Sequence, residues 1–303
     1  MQTLMMPVAM VVGGVFHNFM DTLGFLTPYL IFVMLFIPFC GVNLKEMRIT
    51  GLHINLLLFQ SVMCVLTYAF IQLFDQTVAQ GAMVCIIAPT ATSAVVIAAM
   101  LGARVSTMLT YSLLVNTAVA IGAPFFFSAI SPAVDISFWH SFRVIFLRVI
   151  PMLVLPFVVA LLLKKFVPRA ARKVQQYQPL SFYLWLAALC IVTGRVVNFI
   201  MTQEGLTWGK GVTLALVALV ISVMQFLTGR YIGRRYSDTV AGGQALGQKN
   251  TILAIWLAQT YLNPVSSIAP ASYVLWQTLI NSYQLWRKAR KDKTSAEIND
   301  MVL

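Results

Sequence analysis

Long apolar stretches, separated by short polar or basic segments, follow one another along this 303-residue chain. Each stretch holds about 20 residues, enough to cross ~30 Å of hydrocarbon as a helix at ~1.5 Å per residue. Because the apolar positions are continuous, the pattern predicts an all-α polytopic membrane protein. The ten predicted transmembrane helices are 3–19, 22–41, 51–73, 80–102, 105–130, 139–163, 179–200, 210–228, 239–261 and 264–286.

Basic residues mark alternate connections between these spans. The segments after spans two, four, six and eight, together with the C-terminal tail, hold 16 of the 21 Lys and Arg residues. Cytoplasmic loops carry such an excess of positive charge. The distribution predicts a multi-pass protein of the plasma (inner) membrane with both termini in the cytoplasm.

Ten spans divide into two groups of five, and an odd number of spans gives the two halves opposite orientations. This parity predicts a five-plus-five inverted repeat, an arrangement common in secondary transporters. The halves would be 1–131 and 132–286, joined near 131–139, and residues 287–303 would form a basic cytoplasmic tail.

Two spans in corresponding positions of the halves carry interruptions. Span four has Pro89 at its middle, followed by Thr92 and Ser93, and proline removes a backbone donor and disrupts a helix. Span nine holds Gly242 and Gly243, which we expect to break it together with the polar run from Gln244 to Thr251. Paired interruptions of this kind point to a transporter binding site. We therefore expect the two stretches to line one cavity.

Composition agrees with a membrane protein, since 59% of the residues are apolar and only 10% are charged, against about 25% charged in soluble domains. The net charge of +12 comes mainly from the flanks of spans, so it indicates topology and contact with lipid headgroups, and no nucleic-acid partner is expected. No obligatory protein partner is evident. The four cysteines have no metal-binding spacing and are expected to pack as small apolar side chains.

Side chains that could perform catalysis are scarce in the spans. The predicted spans hold no acidic residue, with Asp238 at the edge where span nine starts, and the three histidines lie near the ends of different spans. A serine protease pairing of Ser93 with Lys249 is conceivable but disfavoured, and we expect no enzyme. Lys249 should face a polar cavity or a partner, because burying its charge is costly. The alternative is that it snorkels to the interface, and Arg195 is read as an interfacial anchor.

Other polar residues inside spans are candidates for contacts with a ligand. Gln60 lies in span three, while Ser112 and Asn116 lie four residues apart in span five and share one helical face. Each taken singly would more commonly bond a neighbouring helix.

Five segments, in order and over nearly the whole chain, resemble the bile acid:sodium symporter family. They are "FCGVNLKEMRI" (39–49), "QSVM" from Gln60, "APTATSAVV" (88–96), "GQKNTILA" (247–254) and "APASYVLWQ" (269–277). The resemblance implies a panel domain of spans 1, 2, 6 and 7 and a core domain of the other six. Two broken helices would cross in the core, and organic anions would bind between the domains.

The resemblance also implies which residues bind the substrate or ions. The family's ligands would fall near Gln60, Thr92, Ser93, Ser112, Asn116, Gln244 and Gln248. The two interruptions add Pro89, Lys249, Asn250 and Thr251 as candidates for binding the substrate or an ion. Any sodium would lie at Ser93, Ser112, Gln244 and Gln248, and no other cofactor is expected. The chain departs from the family pattern where Ala94 follows Ser93 and where span nine lacks a glutamate.

Lys249 lies within about one helical turn of the position where the family has the glutamate. Its ammonium would repel a Na⁺ ion ~4 Å away by several kcal/mol at an effective dielectric of about 20. We therefore expect Lys249 to take the place of one sodium ion. The sequence predicts a secondary transporter of small organic anions, bile-acid-like or small carboxylates. The alternatives are a carrier of arsenite or another anion from a related ten-helix family, and a sodium-independent or proton-coupled carrier.

The topology gives a first testable prediction. A reporter that functions only in the cytoplasm should be active when it is fused after Leu303, because the basic segments place both termini on that side. Activity of a reporter that functions only outside the cytoplasm would contradict the ten-span topology.

Overall fold

The computed structural model describes residues 2–41, 47–130, 138–202 and 207–302, and every regular element in these ranges is helical. Short 3₁₀ helices occupy Leu23–Leu26 and Pro264–Ser267. The α-helices are α1 Gln2–Val15, α2 His17–Thr22, α3 Thr27–Gly41, α4 Gly51–Ile71, α5 Gln76–Ile87, α6 Thr92–Met100, α7 Val105–Ile130, α8 Phe138–Phe166, α9 Pro168–Gln176, α10 Gln178–Thr202, α11 Trp208–Arg234, α12 Thr239–Gly247, α13 Thr251–Tyr261 and α14 Ile268–Val302.

Within the described residues, four helices are long and apolar enough to cross a membrane. They lie at Gly51–Ile71, Val105–Phe127, Phe182–Thr202 and Trp208–Arg234, and a bent pair at the N-terminus would make a fifth. The chain is therefore a helical membrane protein. The full set of ten spans and the repeat remain predictions from the sequence.

Helix α11 shows how these helices meet lipid. Its exposed apolar residues recur every three or four positions and so form one stripe along the helix, which suits contact with hydrocarbon. The stripe consists of Val212, Leu216, Val220, Val223 and Leu227. The opposite side is buried and includes Leu214, Ala218 and Ile221. This sidedness places α11 at the periphery of the bundle.

The predicted first span, 3–19, is not one straight helix. Its axis bends by 93° between the segments Pro7–Val15 and His17–Leu26. The bend lets both segments pack on α10. Cys190 Sγ donates to the carbonyl of Ala9 in α1 at 3.0 Å, while Asn198 Nδ2 donates to Asp21 in α2 at 3.1 Å.

The fourth predicted span is interrupted at its proline. Helix α5 ends at Ile87, and Ala88 takes an extended conformation with ψ 133°. A residue that precedes proline is pushed out of the helical region in this way. The next helix, α6, begins at Thr92, so a four-residue break separates two half-helices.

The ninth predicted span is also interrupted within the expected polar run, but the break expected at the two glycines was wrong. Gly242 and Gly243 lie inside continuous helix α12, and the chain becomes extended only at Gln248, with ψ 97°. The two glycines serve close packing, since a Cβ at Gly242 would overlap the carbonyl oxygen of Gly229 in α11. The break covers Gln248–Asn250, and the Asn250 side chain caps α13 by accepting from Leu253 N at 3.2 Å.

Two further segments differ from the prediction. The basic connection after span six contains the short helix α9, and α14 continues from the tenth span through the predicted tail to Val302. Of the predicted junction of the halves, near 131–139, residues 131–137 lie outside the described residues.

Helices α5 and α12 are the most enclosed parts of the bundle. Every residue from Thr77 to Ile87 and from Ala241 to Gly247 is buried. Helices α4, α7, α11, α13 and α14 contribute side chains to the same apolar core. The two breaks therefore lie deep in the protein, away from the surface that faces lipid.

The glycine contact predicts a large cost for a single methyl group. Gly242→Ala should destabilise the fold by about 1–3 kcal/mol, because backbone atoms of α11 and α12 must move apart. The measurement is thermal unfolding in detergent. Gly122→Ala in α7 is the matched control, since a Cβ there meets nothing within 4 Å. Equal stability of the two variants would contradict this contact.

Candidate functional site at the crossing of two broken helices

The two breaks lie against each other and pair as a short antiparallel bridge between Thr90 and Lys249. Asn250 N donates to Pro89 O at 2.8 Å, and Ala91 N donates to Gln248 O at 2.9 Å. Backbone groups in a membrane interior must find partners within the protein. Each break supplies those partners to the other. The two stretches therefore meet, as the sequence predicted.

Lys249 is the cation at the centre of this crossing. The residue is 1% exposed, and its Nζ donates to Ile86 O, in the last turn of α5, at 2.9 Å. The C-terminal end of a helix carries partial negative charge from its unpaired carbonyls, so an ammonium is stabilised there. The alternative that Lys249 snorkels to the interface is wrong.

Gln60 completes the end of α5 from a neighbouring helix. Its Nε2 donates to the carbonyls of Ile87 and Ala88 at 3.1 and 3.3 Å, and its Oε1 accepts from Tyr111 OH at 3.1 Å. Three carbonyls at this helix end thus receive side-chain donors. Gln60 therefore stabilises the break, and its side-chain oxygen already accepts a hydrogen bond from Tyr111.

Hydroxyl groups donate hydrogen bonds to the carbonyls at the C-terminal end of α12. Thr90 Oγ1 donates to Ala245 O at 2.8 Å, and Tyr273 OH donates to Gly247 O at 2.9 Å. Gln225 Nε2 in turn donates to Tyr273 OH at 3.2 Å. Each half-helix C-terminus therefore has donors in place.

A chain of amides connects α14 to both breaks. Gln244 Nε2 donates to Asn281 Oδ1 at 2.8 Å, Asn281 Nδ2 donates to Gln248 Oε1, and Gln248 Nε2 donates to Ser93 Oγ at 3.1 Å. Gln277 holds the second break directly, since its Oε1 accepts from Lys249 N at 2.9 Å and its Nε2 donates to Lys249 O at 3.3 Å.

Ser112 and Asn116 make their hydrogen bonds within α7. Asn116 Nδ2 donates to Ser112 O at 2.6 Å and to Ser112 Oγ at 3.1 Å. The structure does not join this pair to the crossing through any hydrogen bond among the described residues. Thr251 is buried at the start of α13, whereas the side chain of Thr92 lies outside the described part of the chain.

A small cavity of about 40 Å³ opens where α6 and α13 begin. Ala91, Ser93, Asn250 and Thr251 line it from the two breaks, together with Lys249. Helix N-termini carry partial positive charge and free N–H groups, which favours anions. The cavity is large enough only for about one to three water molecules.

A second cavity, of about 730 Å³, adjoins the small one, and both are lined by Val192 and Ile252. Its walls come from α3 and α10 on one side and from α13 on the other, with Phe32, Phe199 and Trp256 among the apolar groups. Its volume falls within the range of about 300–1,000 Å³ found for small-molecule sites.

One ion pair lies on the wall of this larger cavity, which is called the interhelical cavity below. Arg195 Nε lies 3.4 Å from Asp21 Oδ1, and about half of each side chain is exposed. The sequence predicted an interfacial anchor at Arg195 and did not predict its place on this wall. A sign was present, since Arg195, Asn198 and Thr202 are spaced to share one face of α10.

A set of polar residues in α14 was not among the site residues predicted from the sequence. Tyr273, Gln277, Asn281 and Gln284 follow a spacing of three or four residues, which places them on one helical face. A polar stripe in an apolar helix was the available signal.

A comparison with protein-family models and a search of curated proteins find no match to this chain. The site is therefore interpreted from its own geometry.

The crossing predicts a specific crosslink. Thr90 and Lys249 face each other at a position without hydrogen bonds between the pair, where Cα atoms lie ~4.5 Å apart, within the range of disulfides. Thr90→Cys with Lys249→Cys, in a background with the native cysteines replaced by alanine, should form a disulfide on oxidation. Thiol labelling before and after reduction detects it, and each single variant is the control. Crosslinks to the first or seventh predicted span alone would contradict the crossing.

Proposed function

We propose that this chain is a secondary transporter of small organic anions that works by alternating access. The observation that carries the proposal is the crossing itself, with Lys249 Nζ bonded to the end of α5 where two broken helices meet. Discontinuous helices with binding sites at their breaks characterise many secondary transporters.

The lengths of the half-helices support the proposed ten-span topology. Helices α5 and α6 have 12 and 9 residues, and at ~1.5 Å per residue their combined rise approaches ~30 Å of hydrocarbon. Helices α12 and α13 have 9 and 11 residues. Two pairs of half-helices, each equivalent to one span, agree with the proposed inverted repeat and with a multi-pass protein of the plasma membrane.

Helix packing supports the division into a panel domain and a core domain. Helix α10 packs against α1, α2 and α3, while α11 packs against α5, α12 and α14. The interhelical cavity lies between members of these two groups. In the proposed mechanism, the core moves relative to the panel and exposes an anion in this cavity to each side of the membrane in turn.

Lys249 is proposed to act as a resident cation in place of a sodium ion. Gln248, one of the oxygen donors that sodium would need, already bonds Asn281 and Ser93. The lysine ammonium contacts the helix-end carbonyl of Ile86 and fixes the break without an ion from solution. Coupling to protons is the alternative, since a lysine can release one.

Arsenite transport has less support, because a thiol would be its natural ligand. Cys85 is buried in α5, and it is absent from the described residues that line the two cavities.

Sodium dependence tests this mechanism. Uptake of labelled small carboxylates into proteoliposomes should continue when sodium is replaced by choline, since Lys249 already supplies the charge. Lys249→Ala should reduce uptake in choline at least tenfold, because one charge-assisted hydrogen bond is lost and the buried carbonyl of Ile86 loses this donor.

Lys288→Ala is the matched control. Lys288 Nζ also donates to a helix-end carbonyl, that of Met100, at 2.9 Å, but it lies away from the crossing. Strict sodium dependence of the native protein, or unchanged uptake by Lys249→Ala in choline, would contradict the proposed role of Lys249.

A further inference from the structure

We propose that Arg195 anchors the carboxylate of an amphipathic organic monoanion whose apolar part fills the interhelical cavity, and that Asp21 occupies this anchor when no substrate is bound. The inference rests on the proposed transport function and names the substrate class and the residue that recognises it.

The shape of the cavity indicates a substrate with a sizeable apolar part. Its lining is mainly aliphatic and aromatic, with Phe32, Phe199, Ile255 and Trp256 among the residues. A pocket of about 730 Å³ far exceeds a small ion such as acetate, and desolvating such walls is favourable only when an apolar group covers them.

The charge of the cavity is concentrated at one place. Of the described lining residues, Arg195 is the only cation and Asp21 the only anion. A single guanidinium at the edge of an apolar pocket suits a molecule with one anionic head. Arginine presents paired N–H groups that match a carboxylate in bidentate geometry.

The contact between Arg195 and Asp21 leaves the anchor open to exchange. It is made through Nε at 3.4 Å, which is longer than the 2.7–2.9 Å of a strong charge-assisted bond. Among the described residues, Asp21 is the only acid that pairs with Arg195, so a ligand carboxylate has a single partner to displace at the guanidinium.

Asp21 keeps a second partner when it leaves Arg195. Asn198 Nδ2 donates to Asp21 Oδ2 at 3.1 Å, and His17 Nδ1 lies 3.4 Å from Asn198 Oδ1. A substrate carboxylate can therefore replace Asp21 at the guanidinium while the aspartate stays hydrogen bonded. The exchange explains how a cavity with no net charge at rest accepts an anion.

Binding to the purified full chain in detergent tests the inference, with 4-phenylbutyrate as the probe and isothermal titration as the measurement. The neutral 4-phenylbutanamide supplies the same apolar part, and acetate supplies the head alone. The native protein should bind 4-phenylbutyrate at least tenfold more tightly than either compound, since both the charge and the apolar contact are needed.

Two substitutions should act in opposite directions. Arg195→Gln should weaken 4-phenylbutyrate binding about tenfold and leave the amide unaffected, whereas Asp21→Asn should strengthen carboxylate binding about threefold or more, since an internal competitor is removed. Arg195→Lys should restore only part of the affinity, because an ammonium cannot form the paired contact. A purely structural ion pair would give losses in both variants and for both ligands.

Lys210→Gln is the matched control. Lys210 Nζ pairs with Asp75 at 3.1 Å with similar exposure, and neither residue lines the cavity. This variant should bind as the native protein does. Loss of affinity in Asp21→Asn, an unchanged Arg195→Gln, or no binding of 4-phenylbutyrate by the native protein would overturn the inference. Uptake of other small carboxylates into proteoliposomes would then still decide the transport function separately.

Discussion

Backbone hydrogen bonding between the two helix breaks is the constraint on which the rest of this structure depends. Neither break can exist alone in a water-free interior, because its exposed peptide groups would each cost several kcal/mol. The bonds from Asn250 to Pro89 and from Ala91 to Gln248 remove that cost for both breaks together. The two half-helix pairs are consequently interdependent, although about 160 residues separate the two breaks in the chain.

The side chains around the crossing satisfy the helix ends that this arrangement creates. Lys249 and Gln60 bond the end of α5, while Thr90 and Tyr273 bond the end of α12. Only one of the four donors is charged, and it faces the end of a helix, where the dipole stabilises a cation. The same arrangement leaves the N-terminal ends of α6 and α13 facing the small cavity. The negative ends of α5 and α12 thus have side-chain donors, whereas the positive ends of α6 and α13 face the small cavity.

Local signals predicted the parts of the site that depend on local chemistry. Pro89 ends α5 because proline disfavours helix at the preceding residue, and the sequence shows this directly. The second break has no proline, and its extended backbone at Gln248 depends on a partner distant in sequence. The glycines near it misled the prediction, because a glycine that permits close packing looks the same in sequence as one that ends a helix. The cavity-facing position of Arg195 could not be predicted for a related reason, since only the packing of α10 decides whether its side chain faces lipid or a cavity.

The glycine contact between α11 and α12 has a mechanical consequence. Backbone there touches backbone, with Gly242 against Gly229, and no side chain is present that could change rotamer to absorb a displacement. The two helices should therefore act as a single stiff unit that carries the second break with it. Any relative movement of helices has to occur at surfaces where side chains meet, because side chains can change rotamer. The surface between α10 and α13 is one of these. A hinge located there would leave the crossing undistorted while the walls on either side of it change their separation.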